Sequence, residues 1–427
     1  MTETNLKRPR GTWRRRILIF LIGAILLVLL VRTGVDLWAG RRINVEVARL
    51  EQKYGSLDKG TLKVPPVPDG DNRARALRAA AALISGQSEV QSSAYRFLAQ
   101  PGPVPVPPDL RAFVEANRGA LKLAHEARAR RESNWEVDYS NNLNHPPLWD
   151  IRTLSYLISV AARMDLEAGW PDEAATGIAS GLALSASLRQ ESMLLAQLIR
   201  IAVASQHFQA VQRLVTDTEP STAALEELAR WLAENRAPDP MHVGLLGELK
   251  HFNDALARAD HERGYSPWLM DSGLWSGPFA QFARPLVRLF RLRYLEQFGQ
   301  LLDVQTGPRP RPDLPVLPES MSISSRLNSM VGISGMKRAM DSGEMFSGQL
   351  AVTELAVALR RHRLDHGQYP DVLTALVPAY LPNVPLDPVT GKPPVYVREG
   401  SGFRLTAEKG RNVSPQMALL LEWTVPR

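Results

Sequence analysis

The chain has 427 residues, 44% of them hydrophobic and 22% charged, values of a folded protein with room for two or three domains. It has no cysteine, which excludes disulfides, thiolate metal sites, iron–sulfur clusters, thiol nucleophiles and a lipidated cysteine anchor. The net charge of +7 does not argue for nucleic acid: residues 1–16 hold Lys7, Arg8, Arg10, Arg14, Arg15 and Arg16 against Glu3, so five of the seven charges sit there and the rest of the chain carries +2.

The first predicted element is a membrane span. Ile17 to Val31 (ILIFLIGAILLVLLV) carries no charge and no strong hydrogen-bonding side chain. Fifteen helical residues cover roughly 22 Å, less than a hydrocarbon core of about 30 Å. Extending to Trp38 gives about 33 Å and places Arg32 and Asp36 at the outer edge, where Arg32 can snorkel. Trp13 and Trp38 suit the two headgroup layers, and the basic cluster before the span puts the N-terminus inside. The competing reading is a cleaved signal peptide. Ala39 and Gly40 are small, but cleavage there would put Leu37 or Trp38 at a position that wants a small residue.

Residues 41–54 (RRINVEVARLEQKY) continue as a juxtamembrane helix until Gly55, and Lys63 to Asp71 is a linker. Asn72 is a plausible N-cap for a helix over 72–85. Pro101 to Pro108 (PGPVPVPP) reads as extended chain. Asp109 to Arg131 is expected as one long helix. Leu148 to Ala168 shows three- and four-residue spacing in Leu154, Leu157, Ile158, Ala161 and Met164. Gly169 stops it. Trp170-Pro171-Asp172-Glu173 starts the next helix, which runs to about Leu188. Helices at 191–215 and 222–234 follow, the first three packing as antiparallel neighbours.

Further helices are expected over 243–263 and over 286–304, the latter started by Pro285. Gly307 to Pro318 (GPRPRPDLPVLP) is a linker and a domain boundary. Beyond it, Ser347 to Leu364 is a helix ended by His366-Gly367. Asp371 to Val377 is a short helix. Val395 to Val397 and Phe403 to Leu405 form a hairpin around Gly400 and Gly402. The reading is mainly α: a basic segment 1–16, a transmembrane anchor 17–38, an extracytoplasmic helical-hairpin domain 41–306, a Pro-rich and irregular approach 307–346, and a small α+β module 347–427.

Two resemblances follow. The string AARMDLEAGWPDEAATGIASGLAL resembles one tetratricopeptide repeat, with no clear copy at the roughly 34-residue period such arrays need. It is read as an αα-hairpin layer, TPR-like or part of an irregular bundle. Residues 356–405, containing ALRRHRLDHGQYPDVLTALVPAYLPNVPLDPVTGKPPVYV and then GFRL, resemble the C-terminal portion of the major (G-type) pseudopilin of type II secretion systems. The resemblance implies a long helix, a Tyr-Pro turn at Tyr369-Pro370, a short helix and a turn at Asp387-Pro388 into a strand. Elsewhere the pattern departs: Ile17 to Val31 has no acid or leader site of the pilin kind, and the acidic calcium loop is missing. Taken whole, the chain resembles bacterial single-pass membrane proteins with a helical middle and such a C-terminal module.

The search for chemistry yields weak sets. His242, Glu248, His251, Asp254, His261 and Glu262 are dense, and Glu248, His251 and Asp254 step by three as metal ligands on a helix can. A solvated helix face explains the same residues. His362 and His366 have metal-compatible spacing, but Arg360, Arg361 and Arg363 oppose a cation, so a basic helix C-terminus is the plainer reading. Asp365 and Asp387 are paired carboxylates only if folding joins them; a helix end and a turn are their local contexts. No phosphate loop, dinucleotide fingerprint or GxSxG elbow occurs, and Gly332-Ile333-Ser334-Gly335 reads as a flexible approach to the helix at Ser347. Phe290, Arg291, Arg293 and Tyr294 suit packing, or a partner or membrane surface. No catalytic residue, cofactor or metal is assigned. The expectation is a scaffold of the bacterial inner membrane facing the periplasm, held in the bilayer through Ile17 to Trp38, with an envelope protein partner and no nucleic acid. The alternatives are an envelope hydrolase with an assembled site, and an accessory part of a secretion or pilus-like assembly.

Overall fold

The computed structural model describes residues 10–100, 102, 104–139, 146–261, 278–308, 333–409 and 421–425. The chain is mainly helical, with one long apolar N-terminal helix and a small three-stranded antiparallel sheet near the C-terminus. Contacts divide it into two compact units: residues 1–58 with 249–300, and residues 59–248 with 301–427. That division cuts across the sequence-based boundaries at 41–306 and 347–427, for reasons that lie in the packing.

In the first unit, α1 (Arg10–Tyr54) is unbroken until Gly55, which turns out at φ +81. Its apolar stretch is exposed at every residue from Ile17 to Leu30 and is long and apolar enough to cross a membrane, as an anchor or a signal sequence would be. From Ala39 onward one stripe is buried, with Ala39, Ile43 and Leu50 inside. They pack in a unit that also holds the second half of α10 (Pro240–His261) and most of α11 (Pro278–Thr306). Tyr294 stacks on Phe298 at 4.3 Å and lies 5.1 Å from Phe252. Ion pairs finish the packing: Arg288 reaches Asp36 at 3.3 Å and Asp260 at 2.9 Å, Arg284 reaches Asp260 at 2.7 Å, and Arg42 reaches Glu296 at 3.4 Å. Pro285 was expected to start α11 but lies inside it. A proline near a helix N-terminus loses a single backbone bond, and Arg284 and Arg288 on either side tie this turn to Asp260.

In the second unit, α2 (Arg73–Ala82) begins at Asn72, whose side chain accepts from the Ala74 N–H. α3 (Gln87–Leu98) was not expected; its N-cap is Gly86 in a left-handed conformation, with no side-chain cap to mark it. The expected helix over Asp109 to Arg131 is two helices, α4 (Pro108–Ala116) and α5 (Arg118–Ala127). Asn117 breaks it: its amide donates to the carbonyls of Phe113 and Ser85, and its oxygen accepts from the Ser85 N–H.

α6 (Leu148–Glu167), Gly169 at φ +76, and α7 (Pro171–Ser187) form the expected hairpin. α7 is rich in Ala, Gly and Ser and is buried nearly all round from Ala174 to Ser187. Small residues let it touch α6, α8 (Leu194–Asp217) and α9 (Thr222–Arg236) at once. A Cβ on Gly177 would stand 3.2 Å from that of Ala162, and one on Gly181 would fall inside the ring of His207.

α12 (Ile333–His366) starts fourteen residues before the expected helix at Ser347, so 333–346 is regular rather than an irregular approach. Its early turns bury Met340, Met345 and Phe346, and Gly343 is the close-approach point against Met241. Gly335, in the stretch read as a flexible approach, is helical and exposed, with nothing within 4 Å of a built Cβ. Residues 309–332, including most of the Pro-rich linker and Gly332, lie outside the described residues. α12 packs on α8 and α9 and is tied to α9 by Arg236–Glu354 at 2.9 Å and Arg361–Glu226 at 3.2 Å. The C-terminal segment therefore shares one unit with the helices of 59–248.

After Gly367 (φ +73) come a short 3-10 helix, Leu373–Leu376, and the expected hairpin of β1 (Val395–Glu399) and β2 (Gly402–Thr406). A third strand, β3 (Glu422–Val425), pairs antiparallel with β2 and was not expected. Phe403, Leu405, Trp423 and Val425 face inward, and Tyr369 meets Phe403 edge-on at 4.9 Å.

Candidate functional site

The sequence-predicted polar residues do not converge. Among the described residues no group of three or more His, Asp or Glu is placed to hold a metal. Glu248 is buried and accepts from the Leu194 N–H at 3.1 Å; burial raises its pKa. Asp254 pairs with Arg258 at 2.7 Å on its own helix, and His261 is largely exposed. Glu262 lies outside the described residues. His362 and His366 stack at 4.2 Å, each Nδ1–H donating to a carbonyl, of Gln368 and His362 respectively. Asp365 accepts from the Tyr380 hydroxyl at 2.6 Å. Asp387, far more buried, accepts from the N–H groups of Val389, Thr390 and Glu408 and so builds the turn before β1. The two carboxylates belong to separate networks. Phe290 and Tyr294 are buried in the first unit, and Arg291 donates to Asn253 at 3.0 Å.

The arrangement nearest to catalytic chemistry was not singled out from the sequence. His207 on α8 donates from Nδ1 to the Val203 carbonyl at 2.8 Å, which leaves Nε2 to accept from the Ser159 hydroxyl at 3.2 Å. Gln206 also donates to the Ser159 oxygen and to the Ser155 carbonyl. Ser159 lines a cleft between α3, α6 and α8, with Phe97, Leu98, Arg163, Gln206, Gln209 and Arg213 around it. Arg163 and Arg213 donate to the carbonyls of Val104 and Gln100, closing the cleft's rim.

A serine hydroxyl on a histidine held by a carbonyl is how nucleophiles are activated. Three features oppose that chemistry here. The ring is wholly buried and its pKa falls to about 4, so it is a weak base at neutral pH. Ser159 sits in the middle of a regular helix and is itself buried. The cleft leaves ≈ 20 Å³, room for about one water rather than a substrate. The pair works as packing: the imidazole fills the space that Gly181 leaves open.

Other buried polar groups close loops. Arg200, almost wholly buried, has no ion pair among the described residues; it donates to the carbonyls of Asn235 and Pro238 and to Gln197 Oε1. Burial brings its pKa down to about 10. The Tyr139 hydroxyl donates to Glu191 at 2.5 Å and accepts from the Ser192 N–H, which anchors the α7–α8 connection. Burial raises both the Tyr139 and the Glu191 pKa.

These buried groups predict a pH dependence. His207 and His125 are both held at about 4 by burial, against an ordinary 6.5. Between pH 6.5 and 4 the unfolded chain takes up protons that the folded chain refuses. Stability therefore falls as pH drops through that window, by up to about 3 kcal/mol per histidine, and the loss is complete below it. Glu191, Glu248 and Glu354, raised by burial, act oppositely, losing stability as pH rises above 4.5. Comparison with His207→Gln isolates one group: the wild type's advantage should shrink from pH 6.5 to 4 in denaturant titrations. A constant difference would refute the assignment.

No family model, curated protein or solved structure matches the chain.

Proposed function

We propose that the chain is a membrane-anchored, extracytoplasmic scaffold that presents helical surfaces to a protein partner in the bacterial cell envelope. The observation that carries this reading is the continuity of α1. The helix passes without a break from its exposed apolar stretch into a packed stripe, with Ala39 wholly buried and the Arg288 guanidinium 3.0 Å from a Cβ built on Gly40. A signal peptidase needs an accessible, extended chain; here the small residues available for cleavage are helical and enclosed. The basic cluster before the span favours a cytoplasmic N-terminus, which puts the helical units outside, in the periplasm of an inner-membrane protein.

Support for a scaffold comes from how the polar interior is used. Arg200, Asn235, Tyr139, Glu191 and Asp387 are spent on loop carbonyls, N–H groups and one another. The C-terminal segment is proposed to keep the arrangement that its likeness to the major pseudopilin implies, as a borrowed fold. The helix end at Gly367, the buried Tyr369-Pro370 and the Asp387 turn into β1 are consistent with that.

N-terminal sequencing of the protein extracted from membranes tests the anchor. The expected result is a start at Met1 or Thr2, in a fraction that resists alkaline washing. A start near Arg41 would overturn it.

A further inference from the structure

We infer that the open edge of β1 pairs antiparallel with β1 of a second copy of this chain, about a twofold axis at Val397, so that two three-stranded sheets join into one. The pairing is independent of whether α1 is retained.

The hairpin turn decides which backbone groups the edge offers. Gly400 stands at φ +62 in a two-residue turn, and Glu399 and Gly402 on either side of that turn are register partners. Such a pair exchanges both of its backbone bonds, and pairs that do so alternate along an antiparallel ladder. Glu399, Val397 and Val395 therefore turn their N–H and C=O groups to β2, while Tyr396 and Arg398 turn theirs outward. Among the described residues no backbone group pairs with these. β1 is the end strand of the sheet. β3, at the other end, lies against α8, and its Glu422 carbonyl accepts from Gln212.

The side chains leave this edge unguarded. Tyr396 and Arg398 share a face with Leu405 and Phe403, their buried register partners. The Tyr396 hydroxyl donates to the Pro370 carbonyl at 2.7 Å, and Arg398 donates to Asp371 at 2.7 Å and to Gln368 at 3.1 Å. The kind of charge that edge strands use to repel neighbours is thus tied down on the packed side of the sheet. Val395, 66% exposed, and Val397, 38% exposed, stand on the opposite face. β1 contains no proline, and no bulge interrupts its register with β2.

One register fits a second copy. Centring the twofold on Val397 sets Tyr396 opposite Arg398 of the second copy, and Arg398 opposite its Tyr396. The outward groups of both strands then meet, and each pair exchanges both bonds. Val397 faces its own counterpart in an apolar contact and Val395 faces Glu399, so no charge opposes its like. Centring on Tyr396 would set Arg398 against Pro394, which has no N–H. Centring on Arg398 would bring two guanidinium groups together and set Tyr396 against Gly400 in the turn.

The test uses the full chain in detergent, and its lack of native cysteine allows single-cysteine variants. Across the twofold the two Val397 Cα atoms would stand roughly 4.5 Å apart, in a pair without backbone bonds and within reach of a disulfide. The two Val395 Cα atoms would stand roughly 14 Å apart, beyond that reach. Under mild oxidation Val397→Cys should form a disulfide-linked dimer, and Val395→Cys should not, although Val395 is the more exposed. In sedimentation the wild type should run as a dimer, and Val397→Lys as a monomer, because two ammonium groups would meet at the axis. Position 397 lies on the open face, so the lysine variant should keep the helical circular dichroism of the wild type. A monomeric wild type, a dimer that survives Val397→Lys, failure of Val397→Cys to cross-link, or cross-linking of Val395→Cys at an equal rate each overturns the inference.

Discussion

Gly247→Ala is expected to destabilise the chain by about 3–5 kcal/mol, at the upper end for a single added methyl. A Cβ at this position would stand 1.6 Å from the Ser192 carbonyl oxygen and 2.6 Å from its carbon. The obstacle is backbone, and it cannot swing aside as a side-chain end would. Ser192 is held from behind by its N–H on Tyr139, and the preceding Glu191 carbonyl accepts from Gln197. Relief therefore requires moving α10 away from the α7–α8 connection and opening the core at Leu194, which also lies 2.9 Å from a Cβ on Gly244. Gly335→Ala is the control, since nothing lies within 4 Å of its Cβ and the residue is helical. It should be neutral or stabilising by up to about 1 kcal/mol, because alanine loses less freedom in a helix. Chemical denaturation of the detergent-solubilised protein measures both. Equal midpoints for Gly247→Ala and wild type would show that the contact is wrong.

Arg200→Ala should cost a similar amount, about 3–5 kcal/mol, by a different route. The guanidinium spans from Gln197 on its own helix to the carbonyls of Asn235 and Pro238, where α9 ends and the chain turns toward α10. Its removal leaves buried acceptors without donors, each worth about 1–3 kcal/mol, and a void beside Phe346, 5.9 Å away. Arg200→Met should be less severe, since it refills the void and removes a buried charge that no carboxylate pairs among the described residues. Arg200→Lys should stay damaging, because a single ammonium nitrogen cannot take both places from which the two guanidinium nitrogens reach these acceptors. Should the methionine variant prove as unstable as the alanine one, the lost hydrogen bonds alone would account for the effect.

What could be read from the sequence was local. Fifteen uncharged residues mark a helix long and apolar enough to cross a membrane, Asn72 caps the helix it precedes, Gly169 and Pro171 mark the α6–α7 turn, and Gly400 with Gly402 marks a hairpin. What escaped was decided at a distance. Asn117 breaks a helix because Ser85 offers it partners 32 residues away. Gly343 stands in a stretch expected to be irregular and is a helical contact point, since Met241 lies on the facing helix. β3 is a strand through its pairing with β2. The Ser159–His207 pair joins two helices 48 residues apart, and neither residue stands in a motif. A lone histidine on an apolar helix face carries no local sign of whether it meets glycine, solvent or serine.

The unbroken course of α1 has a mechanical side. A helix resists bending and twisting, so the apolar stretch and the packed stripe from Ala39 to Leu50 turn as one body. The Asp36–Arg288–Asp260 clasp then ties the azimuth of the apolar stretch to that of α11 and the end of α10. On the proposed reading of α1 as an anchor, a rotation or tilt of its apolar stretch would swing the second half of α10 and the packed part of α11 by the same angle.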